Sequence, residues 1–255
     1  MISPNQDIVD FETNGYLIKK NFLNSQDFLD TANELNNEIF KTIKTINLND
    51  IGGSRIGNLN VFPGKFGKVI LEYLKQNGLN NLIFNLLGKD INNFNISIGG
   101  NLCIPFGYNQ HFHTDGEYND DMIVINVATS EVKNESGPTE IIPKSHNKEL
   151  SYWQFLFSRK NIVKATLSTG DILIRKHNLW HRGTINISGK PRFIIAFMLF
   201  DKKRKIISSN IENNSNIIIS NNFFKNNRKE KLKEYIYCKF KFLYIFYKAV
   251  YSFFK

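Results

Sequence analysis

GDILIRKHNLWHRGTINISGKPRFIIAFMLF, residues 170–200, decides the fold class. Two β-prone runs, ILIRK and RFIIAFMLF, bracket a turn-rich stretch that carries His181. The same character begins near residue 93. NFNISIGG (93–100), DMIVINVAT (121–129), TEIIPKS (139–145) and ATLSTGDILIRK (165–176) are short β-rich runs separated by Gly, Pro, Asn and Asp. No helical period intervenes. Several short strands at this spacing fit a sandwich or barrel.

Ahead of residue 93 the period differs. VDFETNGYLIKKNFL, residues 9–23, reads as an opening segment followed by a short strand: Asn14-Gly15 is a turn signal and Tyr16-Leu17-Ile18 a β-prone run. Ser25 then has the chemistry of a helix N-cap, and Phe28, Ala32, Leu35 and Ile39 recur at helical spacing, which predicts a helix over 25–45. Residues 46–64, with Gly52-Gly53 and Pro63-Gly64, read as loop. Further helices are expected over 66–76 and 79–87, the second stopping at Gly88. Helices first and strands after give an α+β, mainly β architecture: a jelly roll with N-terminal helices packed on it.

The chain of 255 residues suits one domain with an appendage. The predicted division is a domain over 1–200, an Asn-rich basic linker over 201–229 and a basic aromatic helix over 230–255. The net charge of +10 is unevenly placed: residues 201–255 balance at +9, and residues 1–200 at +1. The first 200 residues therefore carry no nucleic-acid footprint. Two cysteines, Cys103 and Cys238, form no metal spacing and no disulfide framework. The N-terminus has neither a basic start nor an apolar run, so a cytoplasmic protein is expected. The end, EKLKEYIYCKFKFLYIFYKAVYSFFK, interleaves lysine with aromatics, and its apolar run, 242–247, is too short to span a bilayer. It reads first as a helix docked on the enzyme or a partner, and second as a peripheral membrane contact.

HFHTDG, residues 111–116, carries the chemistry. Along an extended chain, alternate side chains share a face, so His111, His113 and Asp115 would point one way. His113 and Asp115 can present two ligands to one metal, with His181 as the third. Two imidazoles and a carboxylate suit Fe(II) with open positions; a three-ligand zinc hydrolase is the competing reading. Arg192 follows His181 by eleven positions and could anchor an acidic cosubstrate. His111 suits the barrel mouth, His146 and His177 suit structural hydrogen bonds, and Tyr108, Gln110 and Glu117 are candidate substrate contacts.

FETNGYLIKKNFLNSQDF, HTD, SGPTEIIPKSH, GDILIRKHNLWHRGTINIS and KPRFIIAFML, in that order, resemble the phytanoyl-CoA dioxygenase family of Fe(II)/2-oxoglutarate oxygenases over roughly residues 8–200. The resemblance implies a double-stranded β-helix, with His113, Asp115 and His181 as iron ligands and Arg192 on the distal carboxylate of 2-oxoglutarate. Thr184 is a further candidate contact for that cosubstrate. Ile104, Asn126 and Ile194 depart from the pattern around the cosubstrate. Because related halogenases replace the carboxylate ligand, Asp115 favours hydroxylation. The expected function is hydroxylation of an aliphatic carbon of a small or carrier-attached substrate, with ascorbate as a reductant. An inactive jelly-roll binding module and a 2-oxoglutarate-independent metalloenzyme are the alternatives.

Overall fold

The computed structural model describes residues 6–116, 118, 122–158, 161–202 and 215–253. Glu117 and the centre of the expected linker, 203–214, lie outside them. Among the described residues the strands are β1 (Tyr16–Lys19), β2 (Asn58–Phe62), β3 (Phe94–Cys103), β4 (Met122–Ala128), β5 (Thr139–Ile141), β6 (Val163–Ala165), β7 (Ile172–Lys176), β8 (His181–Gly183), β9 (Arg192–Asp201) and β10 (Ile218–Ser220). Seven form one antiparallel sheet in the order β1-β7-β4-β9-β3-β2-β10; the other three form a smaller sheet, β6-β5-β8. Two antiparallel sheets in this non-sequential order are the expected jelly roll, mainly β.

The central strands β7, β4 and β9 of the large sheet are largely buried on both faces, and the two-residue period of each strand sorts its side chains. Along β9, Phe193, Ile195, Phe197 and Leu199 enter the main hydrophobic core. Arg192, Ile194, Ala196 and Met198 alternate with them and line an internal cavity. On β4, Ile123, Ile125 and Val127 join the core, while Val124 and Asn126 line the cavity. The same split places Ile172 and Ile174 of β7 in the core and Arg175 in the cavity.

Helices cover the core face. In α2 (Gln26–Thr45) the expected residues Phe28, Ala32, Leu35 and Ile39 are all buried. Ser25 caps it, its hydroxyl accepting from the Phe28 N–H at 3.3 Å. Two further helices, Lys65–Gln76 and Leu79–Leu87, add Phe66, Ile70, Leu74, Ile83 and Leu86 to the same cluster; the second ends at Gly88, whose φ of +65° is readily available to glycine. Each large apolar side chain removed from water there contributes about 1.5–3 kcal/mol.

Several stretches differ from expectation, among them a short helix, Tyr152–Phe157, between β5 and β6 where only strands were expected. The opening segment contains a helix, α1 (Gln6–Asn14), with Phe11 as its one buried residue, so it shows little periodicity. The supposed loop 46–64 contains β2, in which Leu59 and Val61 are fully buried. Its Asn58 and Asn60 are poor strand formers, overridden here by ladder pairing with β3. The expected linker contributes β10 to the sheet edge through pairing with β2.

The tail forms two helices, Arg228–Lys239 and Lys241–Phe253, rather than one, and both dock on the body. Buried Glu234 accepts from the Arg55 N–H at 2.8 Å. Tyr237 Oη and Lys241 Nζ both donate to the Asn109 carbonyl, at 2.7 and 2.8 Å. Lys248 Nζ lies 2.7 Å from His111 Nε2, and the Trp153 N–H donates to Ser252 Oγ at 3.0 Å.

Asp171, at the start of β7, ties the N-terminal region to the sheet. Its carboxylate, 1% exposed, accepts from Lys20 Nζ at 2.7 Å and from the Asn21 and Ser168 N–H groups at 2.8 Å each. Asp171→Ala leaves two backbone donors unpaired, so urea unfolding should show a loss of about 2–4 kcal/mol. A loss within about 0.5 kcal/mol would contradict this role.

The docked tail also predicts a pH profile. Burial lowers Lys241 to about 8, so the folded chain sheds that proton before the unfolded chain does, and stability rises with pH from about 8 to about 10. Burial pushes Tyr152 and Tyr244 up to about 12, so their contribution is complete below pH 10 and is lost between about 10 and 12. Burial also raises the Cys238 thiol to about 11, so its contribution is lost from about pH 9, and stability followed by unfolding across this range should pass through a maximum between about pH 9 and 10; a profile that rises throughout would rule out the phenols and the thiol as buried groups.

Candidate metal centre and its cavity

The segment carrying His113 is extended but pairs with β8 at only one bridge. There His113 and His181 exchange both backbone hydrogen bonds, each at 3.0 Å. The Asp115 N–H donates to the His177 carbonyl at 2.9 Å, which turns the chain so that the carboxylate returns to the two imidazoles. Asp115 Oδ1 lies 3.8 Å from His113 Nε2 and 3.5 Å from His181 Nε2. All three donor atoms fall within 4.8 Å of one another.

The surrounding hydrogen bonds prepare these atoms for a cation. His113 Nδ1 donates to the His111 carbonyl at 3.0 Å, and His181 Nδ1 to the Leu179 carbonyl at 2.9 Å. A carbonyl only accepts, so each Nδ1 carries the proton and each Nε2 keeps its lone pair. Burial, with Arg175 next, lowers His181 to about 3, and burial lowers His113 as well. Burial alone would raise the Asp115 carboxyl, but Arg175 above all, with His181 and His113, holds it well below the usual carboxylate range. Two neutral imidazoles facing one carboxylate are the protonation state that divalent metal binding requires. The donor set therefore fits iron, and on chemistry alone it also fits zinc.

These residues open on a cavity of ≈ 340 Å³, of small-molecule size. Arg192 lines it from the first position of β9. Its Nη1 donates to Asn101 Oδ1 at 3.2 Å, its Nε to the Ser136 carbonyl at 3.4 Å, and its Nη2 to the Gly137 carbonyl. Gly137 has a φ of +76°, and a Cβ there would meet the Thr184 carbonyl at 2.8 Å and Cys103 Sγ at 2.9 Å, so this carbonyl wall requires glycine.

Thr184 is a correction: it does not line the cavity, and its buried hydroxyl donates to the Pro138 carbonyl at 2.6 Å. Thr139 lines it instead. Gln110 also lines it, while Oε1 accepts from the Gly183 N–H at 2.7 Å; Tyr108 does not reach it. His111 sits beside His113, with ring centroids 5.7 Å apart, but its Nε2 is taken by Lys248. His146 Nε2 and His177 Nδ1 bond the Glu12 and Met122 carbonyls at 3.0 and 2.7 Å.

Sequence reasoning passed over Arg175. Its Nη2 donates to Asp115 Oδ2, and its Nε to Asn126 Oδ1 at 3.4 Å. The available signal was a charged side chain at the cavity parity of a strand buried on both faces. Asn126 and Ile194, two of the expected departures, line the cavity; Ile104 does not, and the polar contact from β3 comes from Asn101.

Residues 11–194 match the phytanoyl-CoA dioxygenase (PhyH) family, a stretch that includes all three donors and Arg192. The chain belongs to this family. No curated protein matches it in sequence. Among solved structures, AviO1 from Streptomyces viridochromogenes Tue57 is 14% identical, with a TM-score of 0.62 over 81% of this chain and 98% of that one. EctD from S. alaskensis with bound Fe is 17% identical, with a TM-score of 0.61 over 84% of each chain. SnoK, a non-heme alpha-ketoglutarate-dependent carbocyclase from nogalamycin biosynthesis, is 13% identical, with a TM-score of 0.59 over 78% and 85%. At these identities the likeness is one of fold, and it places this member of the family among jelly rolls.

In this family member Arg175 orients the Asp115 carboxylate. Arg175→Leu should therefore weaken Fe(II) or Co(II) binding by about tenfold to a hundredfold, read by calorimetry or Co(II) absorption. Unchanged metal affinity would show that the guanidinium does not orient the carboxylate.

Proposed function

We propose that the chain is an Fe(II)- and 2-oxoglutarate-dependent dioxygenase that hydroxylates an aliphatic carbon of a small or carrier-attached organic substrate. The observation that carries this reading is the convergence of His113, Asp115 and His181 in one cavity with a buried arginine. His113 Nε2, His181 Nε2 and Asp115 would hold the iron, and Arg175 keeps the second carboxylate oxygen engaged. Arg192 would take the distal carboxylate of 2-oxoglutarate. Its hydrogen-bond partners are all neutral, so its buried charge lacks a counter-ion among the described residues. An anionic partner offsets that cost, and the planar guanidinium matches a carboxylate's two oxygens.

Bound iron and 2-oxoglutarate would supply the oxidising power for oxygen insertion at an unactivated C–H bond. The protein's part is position and exclusion of water. Val124, Ile194, Ala196 and Met198 give the cavity an apolar wall against which an aliphatic segment can rest. Structures of this fold include a carbocyclase and an epimerase; the retained Asp115 favours hydroxylation over halogenation, and substrate placement would favour it over those two reactions.

Succinate formation from 2-oxoglutarate with Fe(II), ascorbate and oxygen tests the assignment. Asp115→Ala and His181→Ala should abolish turnover, and activity retained in both would remove the metal assignment. Arg192→Ala should raise the 2-oxoglutarate concentration for half-saturation by about tenfold or more. An unchanged value would show that the cosubstrate carboxylate lies elsewhere.

A further inference from the structure

The last helix, Lys241–Phe253, is inside out. Its lysines face the body: Lys241 donates to the Asn109 carbonyl and Lys248 meets His111 Nε2, and burial lowers both from the usual lysine range. Tyr244 packs edge-on against Tyr237 at 4.9 Å, Ala249 is buried, and Ser252 Oγ accepts from the Trp153 N–H. The opposite face is apolar. Phe242, Leu243, Phe246, Tyr247 and Val250 are 68, 48, 62, 60 and 37% exposed. Their spacing, i, i+1, i+4, i+5 and i+8, puts them on one side of the helix. Phe240, 47% exposed, extends the row at the junction with the preceding helix. A surface helix normally shows the reverse arrangement, and a contiguous exposed apolar patch marks a contact site.

Charge selects the occupant. Residues 201–255 balance at +9, and Lys225, Arg228, Lys229, Lys231 and Lys239 are all exposed. A second copy would bring the same positive charge against this one. An anionic lipid surface attracts it, at about 1 kcal/mol for each basic residue near the headgroups. Phenylalanine and tyrosine on one face of a helix suit the headgroup–acyl boundary. No helix among the described residues is long and apolar enough to cross a membrane, so this helix would lie in the plane of the surface.

We propose that the outer face of the C-terminal helix is a docking surface for an anionic lipid bilayer. The proposal is independent of the metal chemistry.

Co-sedimentation of the full chain with phosphatidylcholine vesicles, with and without phosphatidylglycerol, tests it. Binding should need the anionic lipid, fall with added salt, and weaken about tenfold or more in a Phe242→Ser, Phe246→Ser double variant with unchanged circular dichroism. Equal binding of wild type and variant, no preference for anionic vesicles, or no binding at all would overturn it. A wild-type dimer that the same variant dissolves in sedimentation velocity would assign the face to a second copy and also overturn it.

Discussion

On β9, Phe193, Ile195, Phe197 and Leu199 enter the hydrophobic core while Arg192, Ile194, Ala196 and Met198 face the cavity, and the site depends on this two-sided burial. Central strands covered on both faces leave no solvent-facing parity for a misplaced side chain. A slip of one residue in the β3–β9 register would drive Arg192 into the core and expel Phe193 from it. Ten paired positions, from Phe94↔Asp201 to Cys103↔Arg192, hold that register. The apolar side chains that stabilise the fold thus also aim the polar ones.

Inside the cavity the governing quantity is charge in a poorly solvated space. Arg175 and Asp115 compensate one another, and the pairing leaves Asp115 Oδ1 turned to the imidazoles. Arg192 has only neutral acceptors around it. One arginine is therefore committed to the donor set, and the other retains a demand for an anion. The two guanidinium groups line one cavity but differ in what their neighbours leave unsatisfied.

Much of this was legible because the signals were local. Ser25 with Phe28, Ala32, Leu35 and Ile39 specifies α2 through capping and helical period, and Gly88 ends the helix before it by its left-handed conformation. His113, Asp115, His181 and Arg192 stood out because few residue types suit a metal ion or a carboxylate, and the fold brings all four to one cavity. The errors fell where tertiary contacts outweighed local preference. β2 is a strand because β3 pairs with it, although two of its residues are asparagines. Thr184 is a polar residue near the donors in sequence, yet its hydroxyl was claimed by Pro138. Arg175 was readable only as one charge in an apolar strand until the fold brought Asp115 to it.

By itself the sequence determined helix α2, the two helices after β2, the main run of strands from residue 93, the donor types and the basic, aromatic character of the tail, since each follows from side-chain chemistry and short-range period. The tertiary structure decided which polar groups meet. His181 and Asp115 are far apart along the chain and 3.5 Å apart in space. The last helix docks through Lys241 and Lys248 and leaves Phe242, Phe246 and Tyr247 exposed. Neither arrangement can be read from neighbours in sequence, because both depend on which surfaces remain uncovered once the sheets have paired.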